Sequence, residues 1–162
     1  MGLHRDINLL VPEMRNYIMK AFEKFEEIGF DVLISETLRD DAVQIAYYAQ
    51  GRKPLSETNE LRKKAGIYLL TEKENANIIT NCDGVTRKSN HQSRDSSGLG
   101  YAIDLVPAKG ITNRNLTFDW NAPKEKYIKI AEILKEVSNG RIDSGVYWDK
   151  FYDAPHHELK RK

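Results

Sequence analysis

The chain has 162 residues and a mass of 18.7 kDa, enough for one ordinary domain with a sizeable core and without help from disulfides or repeats. Hydrophobic residues make up 40% and charged residues 30%, with bases and acids nearly cancelling to +1, which favours neither the footprint of a nucleic-acid binder nor an acidic tail. A lone cysteine, Cys82, excludes an internal disulfide and any multi-cysteine zinc cluster, so a bound metal would need histidine and carboxylate ligands.

In chain order, charges are spread through MGLHRDINLLVPEMRNYIMK, and the expectation is a chain made in the cytoplasm without a secretory signal and without a membrane span. From Asn8 to Ile28, apolar residues at Leu10, Met14, Ile18, Phe22, Phe25 and Ile28 recur every three to four positions, which predicts an amphipathic helix ended by Gly29. Phe30 to Ser35, FDVLIS, is short, apolar and β-branched, as a sheet strand is. Asp40 or Asp41 can then cap a helix through AVQIAYYAQ to Gly51, leaving Arg39 at a strand-to-helix corner where side chains are readily aimed into a cleft.

The polar stretch from Arg52 to Asn81 offers only a short helix near Glu57 to Ala65. YAIDLVP, Tyr101 to Pro107, alternates and predicts a strand stopped at Val106. A further helix opens at Asn121 or Pro123, buries Tyr127, Ile130, Ala131, Leu134 and Val137, and closes at Asn139 and Gly140. The aromatic run GVYWDKFYDAPHHELK fits a final strand or edge, and no linker or repeat divides the chain.

Three of the four histidines fall in two tight contexts that also hold acids: His91 in SNHQS, then His156 and His157 in DAPHHEL with Asp153 and Glu158. Asp104 closes GYAID. A catalytic zinc takes three nitrogen or oxygen ligands and leaves one position for water, and His91, Asp104 and one of the paired histidines would supply that set. On an extended segment His156 and Glu158 share one face while His157 takes the other, so only one imidazole of the pair is expected to bind. Asp153, three residues before His156 across a proline bend, is placed to take a proton from metal-activated water and hand it to a leaving amine. Composition alone allows the plainer alternatives of a surface histidine, a turn-capping Asp104, and an Arg39 paired with Asp40 or Asp41.

These residues resemble the zinc D-alanyl-D-alanine carboxypeptidase and L-alanyl-D-glutamate peptidase family, which includes several phage endolysins. Three blocks carry the resemblance in family order: TLRDDAVQIAYYAQGR at 37–52, SNH at 89–91 with GYAID at 100–104, and WDKFYDAPHHEL at 148–159. The resemblance implies one zinc ion held by His91, Asp104 and His156, with Asp153 as catalytic carboxylate and Arg39 facing the substrate. It assigns supporting places to Gln44, Gln50, Ser89 and Glu158, while Tyr48, Trp148 and Phe151 are expected to pack in the core. Two departures stand out: eight residues, QSRDSSGL, separate His91 from Gly100 where the family has two, and His157 follows the ligand histidine where the family often has an aromatic. The polar insert is expected to bulge outward, since added loop length costs little entropy.

The expected fold is α+β, a small and mainly antiparallel sheet flanked by helices, similar to the Hedgehog and D-Ala-D-Ala-peptidase domains, in one catalytic domain over 1–162 with no separate wall-binding domain. The resemblance implies hydrolysis of peptidoglycan stem-peptide amides, foremost between L-alanine and D-glutamate. The alternatives are a D-alanyl-D-alanine carboxypeptidase or dipeptidase and, in another class, a zinc-bearing binding module without catalysis. The implied partner is the cell-wall stem peptide, reached after release through a holin or another route if the chain is phage-encoded, and no nucleic acid is implied.

Overall fold

The computed structural model describes residues 2–110 and 115–162. Five strands, β1 (Val32–Glu36), β2 (Ala102–Lys109), β3 (Thr117–Phe118), β4 (Ile142–Ser144) and β5 (His156–Leu159), form one sheet in the order β1-β2-β5-β4, with β3 pairing β2, and every strand pair is antiparallel. Helices flank this sheet, so the fold is α+β as expected. Among the described residues no helix is long and apolar enough to cross a membrane.

The first long helix, α1, spans Pro12–Glu27 and begins later than the apolar spacing suggested. Residues Ile7–Leu9 form a 3-10 turn capped by Asp6, Leu10 is extended against Gly100, and Val11 is held extended by the proline that follows it. Pro12 then opens the helix, where its missing N–H costs nothing. Its end is closed by Phe30 N–H donating to the Phe25 carbonyl at 2.9 Å, which occupies residues 29–31 and delays β1 to Val32–Glu36.

Helix α2, Asp41–Ala49, follows Arg39 with Asp40 at its cap position, although the Asp40 carboxylate bonds His4 Nε2 at 3.0 Å instead of the helix amides. The polar region then forms α3, Leu55–Lys64, and α4, Glu72–Asn75, the latter started by a Thr71–Glu74 capping box. Strand β2, Ala102–Lys109, continues through Pro107 and does not stop at Val106. Leu105 N–H points to the β5 side and Ala108 N–H to the β1 side, so the missing N–H of Pro107 faces away from β1, on the side where Asp119 N–H donates to the Pro107 carbonyl at 2.8 Å.

Strand β3, Thr117–Phe118, precedes α5, Lys124–Val137, which is capped by Pro123 and closed at Asn139 and Gly140. Strand β4, Ile142–Ser144, leads through a 3-10 turn at Gly145–Tyr147 to β5, His156–Leu159. The aromatic run is therefore mostly a loop, and its four-residue strand is interior, not an edge. The main core joins Ile103 and Leu105 of β2 to Met14, Ile18 and Phe25 of α1 and Ile130 and Leu134 of α5. These helices cover one face of the sheet and leave the alternate residues of β2 and β5 on the other.

Candidate metal centre

Register brings the chemistry together. Across the sheet, Glu36 of β1 lies opposite Asp104 of β2, and Asp104 lies opposite His156 of β5, so three strands contribute a polar row to one face. The β1–β2 register shifts between Ile34 and Glu36, a bulge that sets Glu36, in place of Ser35, across from Asp104. On the opposite face His157 is fully buried and its Nδ1 meets Ser144 Oγ at 2.8 Å. Burial, reinforced by the charge of His156, pushes the His157 pKa down to about 3, so it stays neutral.

His91 comes from a loop pinned to the same face. Its carbonyl accepts from Arg39 N–H at 2.9 Å, its amide donates to Ser89 Oγ at 3.3 Å, and Tyr101 N–H donates to the Asn90 carbonyl at 2.9 Å, closing the chain on both sides of the insert. A Cβ at Gly100 would lie 3.0 Å from the His91 carbonyl oxygen and 3.3 Å from Leu38 Cα, so glycine lets β2 approach this loop. The insert itself turns around Asp95, whose carboxylate accepts from Ser97 N–H at 2.8 Å and from Tyr101 O–H at 2.6 Å, and it leaves His91 and Asp104 facing each other.

His91 Nε2 lies 3.1 Å from Asp104 Oδ1 and 3.1 Å from His156 Nδ1, and the third side, His156 Nδ1 to Asp104 Oδ1, is 3.3 Å. Ligand atoms around a tetrahedral zinc, at bond lengths of about 2.0–2.2 Å, stand roughly 3.3–3.6 Å apart, so this triangle is within a few tenths of an ångström of a zinc-ligand face. The outer contacts fix which nitrogens point inward. His91 Nδ1 is 2.7 Å from the Thr37 carbonyl, which can only accept, and His156 Nε2 is 2.7 Å from Glu158 Oε2. Both outer nitrogens therefore carry the proton in the neutral rings, and two bare lone pairs and a carboxylate converge.

Such a convergence demands positive charge. Burial opposes ionisation of His156, but its contacts with Asp104 and Glu158 outweigh that and push its pKa up to about 10. Burial would likewise raise the Asp104 pKa, yet the two imidazoles hold it well below the ordinary carboxylate range. A divalent cation satisfies the same demand, and the donor set of two imidazoles and one carboxylate suits zinc.

Asp153 stands beside this triangle in the loop before β5. Its residue is open to solvent on one side, while the protein atoms packed on its inner side, with the negative charge of Asp104, raise its pKa above the ordinary value. The main chain sets its place: Asp153 N–H donates to the Gly145 carbonyl at 3.2 Å, and a Cβ on Gly145 would stand 3.0 Å from the Asp153 carbonyl carbon. Glycine at 145 is thus what lets the Asp153 loop close on β4.

Arg39 does not pair with Asp40 or Asp41. Its Nε and Nη2 donate to Glu36 at 2.9 and 2.6 Å, its Nη1 donates to Gln44 Oε1 at 2.8 Å, and the guanidinium stacks 4.8 Å from the Tyr47 ring centre. Burial works against its charge, but Glu36 outweighs that and raises the pKa. Gln44, fully buried, also donates to the Cys82 carbonyl at 2.8 Å, linking Arg39 to the loop that contains the half-buried free thiol. Gln50 lies elsewhere, donating to the Glu74 carbonyl at 3.0 Å.

Two expectations of packing need correction. Phe151 is 74% exposed at φ 56°, because the loop turns sharply there and throws the ring outward. Trp148 is half-buried against the His156 ring, 5.4 Å between centres, with its Nε1–H donating to Asp143 at 3.0 Å, so it walls the centre. Tyr48 is half-buried beneath the Arg52 guanidinium. No motif in the sequence points to the Thr37 carbonyl, whereas Glu36, the acid that ends the apolar run FDVLIS, is a visible signal.

No protein-family model matches the chain, and no curated protein matches it. Among solved structures it is similar to the crystal structure of the Serratia marcescens L-Ala D-Glu endopeptidase ChiX. The two share 16% sequence identity at a TM-score of 0.49, over 99% of this chain and 90% of that one. A hollow of about 640 Å³ lies apart from the centre, between Phe22, Phe30 and Ile34, and none of the metal-cluster residues lines it.

Proposed function

We propose that this chain is a zinc-dependent peptidoglycan hydrolase that cleaves the stem-peptide amide between L-alanine and D-glutamate, acting on the cell wall after release. The observation that carries the proposal is the convergence of His91 Nε2, Asp104 Oδ1 and His156 Nδ1 at 3.1–3.3 Å, their outward nitrogens tied to Thr37 and Glu158. The three sequence blocks that resemble the L-alanyl-D-glutamate peptidase family support the choice of substrate.

When bound at these residues, zinc supplies Lewis-acid polarisation of the amide carbonyl and lowers the pKa of water to about 7. The protein supplies the rest. Asp153, raised in pKa and open on one side, accepts the proton released in the attack and passes it to the leaving amine. Arg39 has five N–H groups, of which Glu36 and Gln44 engage three, and the remaining donors steady developing negative charge on the substrate. Glu36, Gln44 and Tyr47 hold the guanidinium in one orientation, and Trp148 limits the motion of His156.

Metal analysis of the purified protein, paired with mass spectrometry of digested peptidoglycan, tests this. One zinc per chain and fragments split between L-alanine and D-glutamate are expected. Loss of terminal D-alanine alone would replace the endopeptidase by a carboxypeptidase, and bound zinc without hydrolysis of any stem peptide would leave a binding module.

A further inference from the structure

Asp153 lines a second space besides the metal centre. A cavity of about 340 Å³ is walled by Trp120, Lys124, Tyr127, Tyr152, Asp153 and Pro155. Trp120 and Tyr152 are each about half exposed, at 55% and 52%. Their placement is built. The Trp120 ring stacks on Phe118 at 5.4 Å, and Tyr127 O–H donates to the Trp120 carbonyl at 3.2 Å, tying that turn to α5. Lys124 is the first residue of α5, its Nζ 5.3 Å from the Tyr152 ring centre, and among the described residues it forms no salt bridge. The helix dipole opposes a cation in the first turn, so helix stability does not account for a lysine there.

We propose that this cavity is the subsite for the substrate residue on the leaving-amine side, with Lys124 holding that residue's α-carboxylate; this rests on the peptidase activity proposed above. The residue that hands a proton to the leaving amine is part of the cavity wall, so the residue bearing that amine enters the cavity. In a stem peptide the leaving D-glutamate is joined onward through its side-chain carboxyl, which leaves its α-carboxylate one carbon from the amine. Arg39 does not line this cavity, whereas Lys124 faces it as its one cation, without a salt bridge among the described residues. Trp120 and Tyr152 offer apolar faces to the glutamyl methylenes.

Two synthetic stem peptides, one with the D-glutamyl α-carboxylate free and one with it amidated, test the assignment on the zinc-loaded enzyme. The parent should cleave the free acid about tenfold more efficiently, the difference lying in KM, as one charge-assisted contact gives. Lys124→Gln should bring the ratio of the two efficiencies close to one, and Lys124→Arg should keep most of it. Lys135→Gln, exposed in the last turn of the same helix, should preserve the parental ratio. A parental ratio in Lys124→Gln, or a parent that cleaves both peptides equally, overturns the subsite and leaves the peptidase standing. If the zinc-loaded parent cleaves neither peptide, the proposed activity falls and the subsite falls with it.

Discussion

Replacing Asp153 by asparagine removes a proton acceptor and a negative charge while keeping the size of the side chain. The loop around it is held by main-chain bonds to Gly145 and His156 at 3.2 and 3.1 Å, and among the described residues the carboxylate accepts no hydrogen bond, so its shape should survive. Positioned general acid–base groups contribute about 10²- to 10⁴-fold in rate, or roughly 3 to 5 kcal/mol of barrier, and turnover should fall by that amount. Zinc content should stay at the parental level, because Asp153 is outside the His91, Asp104 and His156 set.

Stability moves the other way. Burial and Asp104 raise the folded-state pKa of Asp153, so the folded protein binds that proton more tightly than the unfolded chain does. The carboxylate therefore costs stability as pH rises through the raised value, and asparagine removes the cost. The metal-free variant should melt at or above the parental temperature at neutral pH. Stem-peptide turnover by chromatography, zinc by mass spectrometry and melting by calorimetry check the three parts. Parental turnover would refute the role of Asp153, lost zinc would refute its separation from the ligand set, and a lowered metal-free melting temperature would refute the stability cost of its carboxylate.

Glu36→Gln should destabilise the fold by about 3 kcal/mol in chemical denaturation, because it strands Arg39 where the two side chains are only 11% and 6% exposed. Glu36→Leu with Arg39→Met should recover most of that, and a single variant as stable as the parent would refute a buried pair. The folded pKa of His156 is raised from 6.5 to about 10, so in the metal-free protein its contribution is complete below pH 6.5 and lost as pH climbs toward 10. Zinc has to displace that proton, so its stabilisation should grow over the same interval. Melting curves with chelator and with zinc from pH 6 to about 10 would expose the opposite slopes, and a metal-free melting temperature that is flat across the interval would refute the assignment.

Much of the centre is legible in one dimension because metal ligation accepts few residue types. Two histidine contexts with neighbouring acids could be read at once, and extended alternation separates His156 from His157 before any fold is known. The long helices were legible for a similar reason: α1 and α5 repeat their apolar residues over enough turns for the period to stand out. Strands β3 and β4, two and three residues long, carry no period, and the sheet order that makes β5 interior rests on contacts between distant segments.

Chain chemistry by itself determined which side chains could hold a cation and which helices would bury a face, since both depend on residue type and local spacing. Tertiary structure decided the partners. Arg39 could have met Asp40 or Asp41 beside it, yet a bulge in β1 turned Glu36 across from Asp104 and within reach of the guanidinium. The Thr37 carbonyl became the group that aims His91 only when the chain folded, whereas Glu158 meets His156 from two residues away on the same face of one strand. Hydrogen bonds and ion pairs act over a few ångströms, and which groups come that close across 54 to 65 residues of chain is fixed by packing.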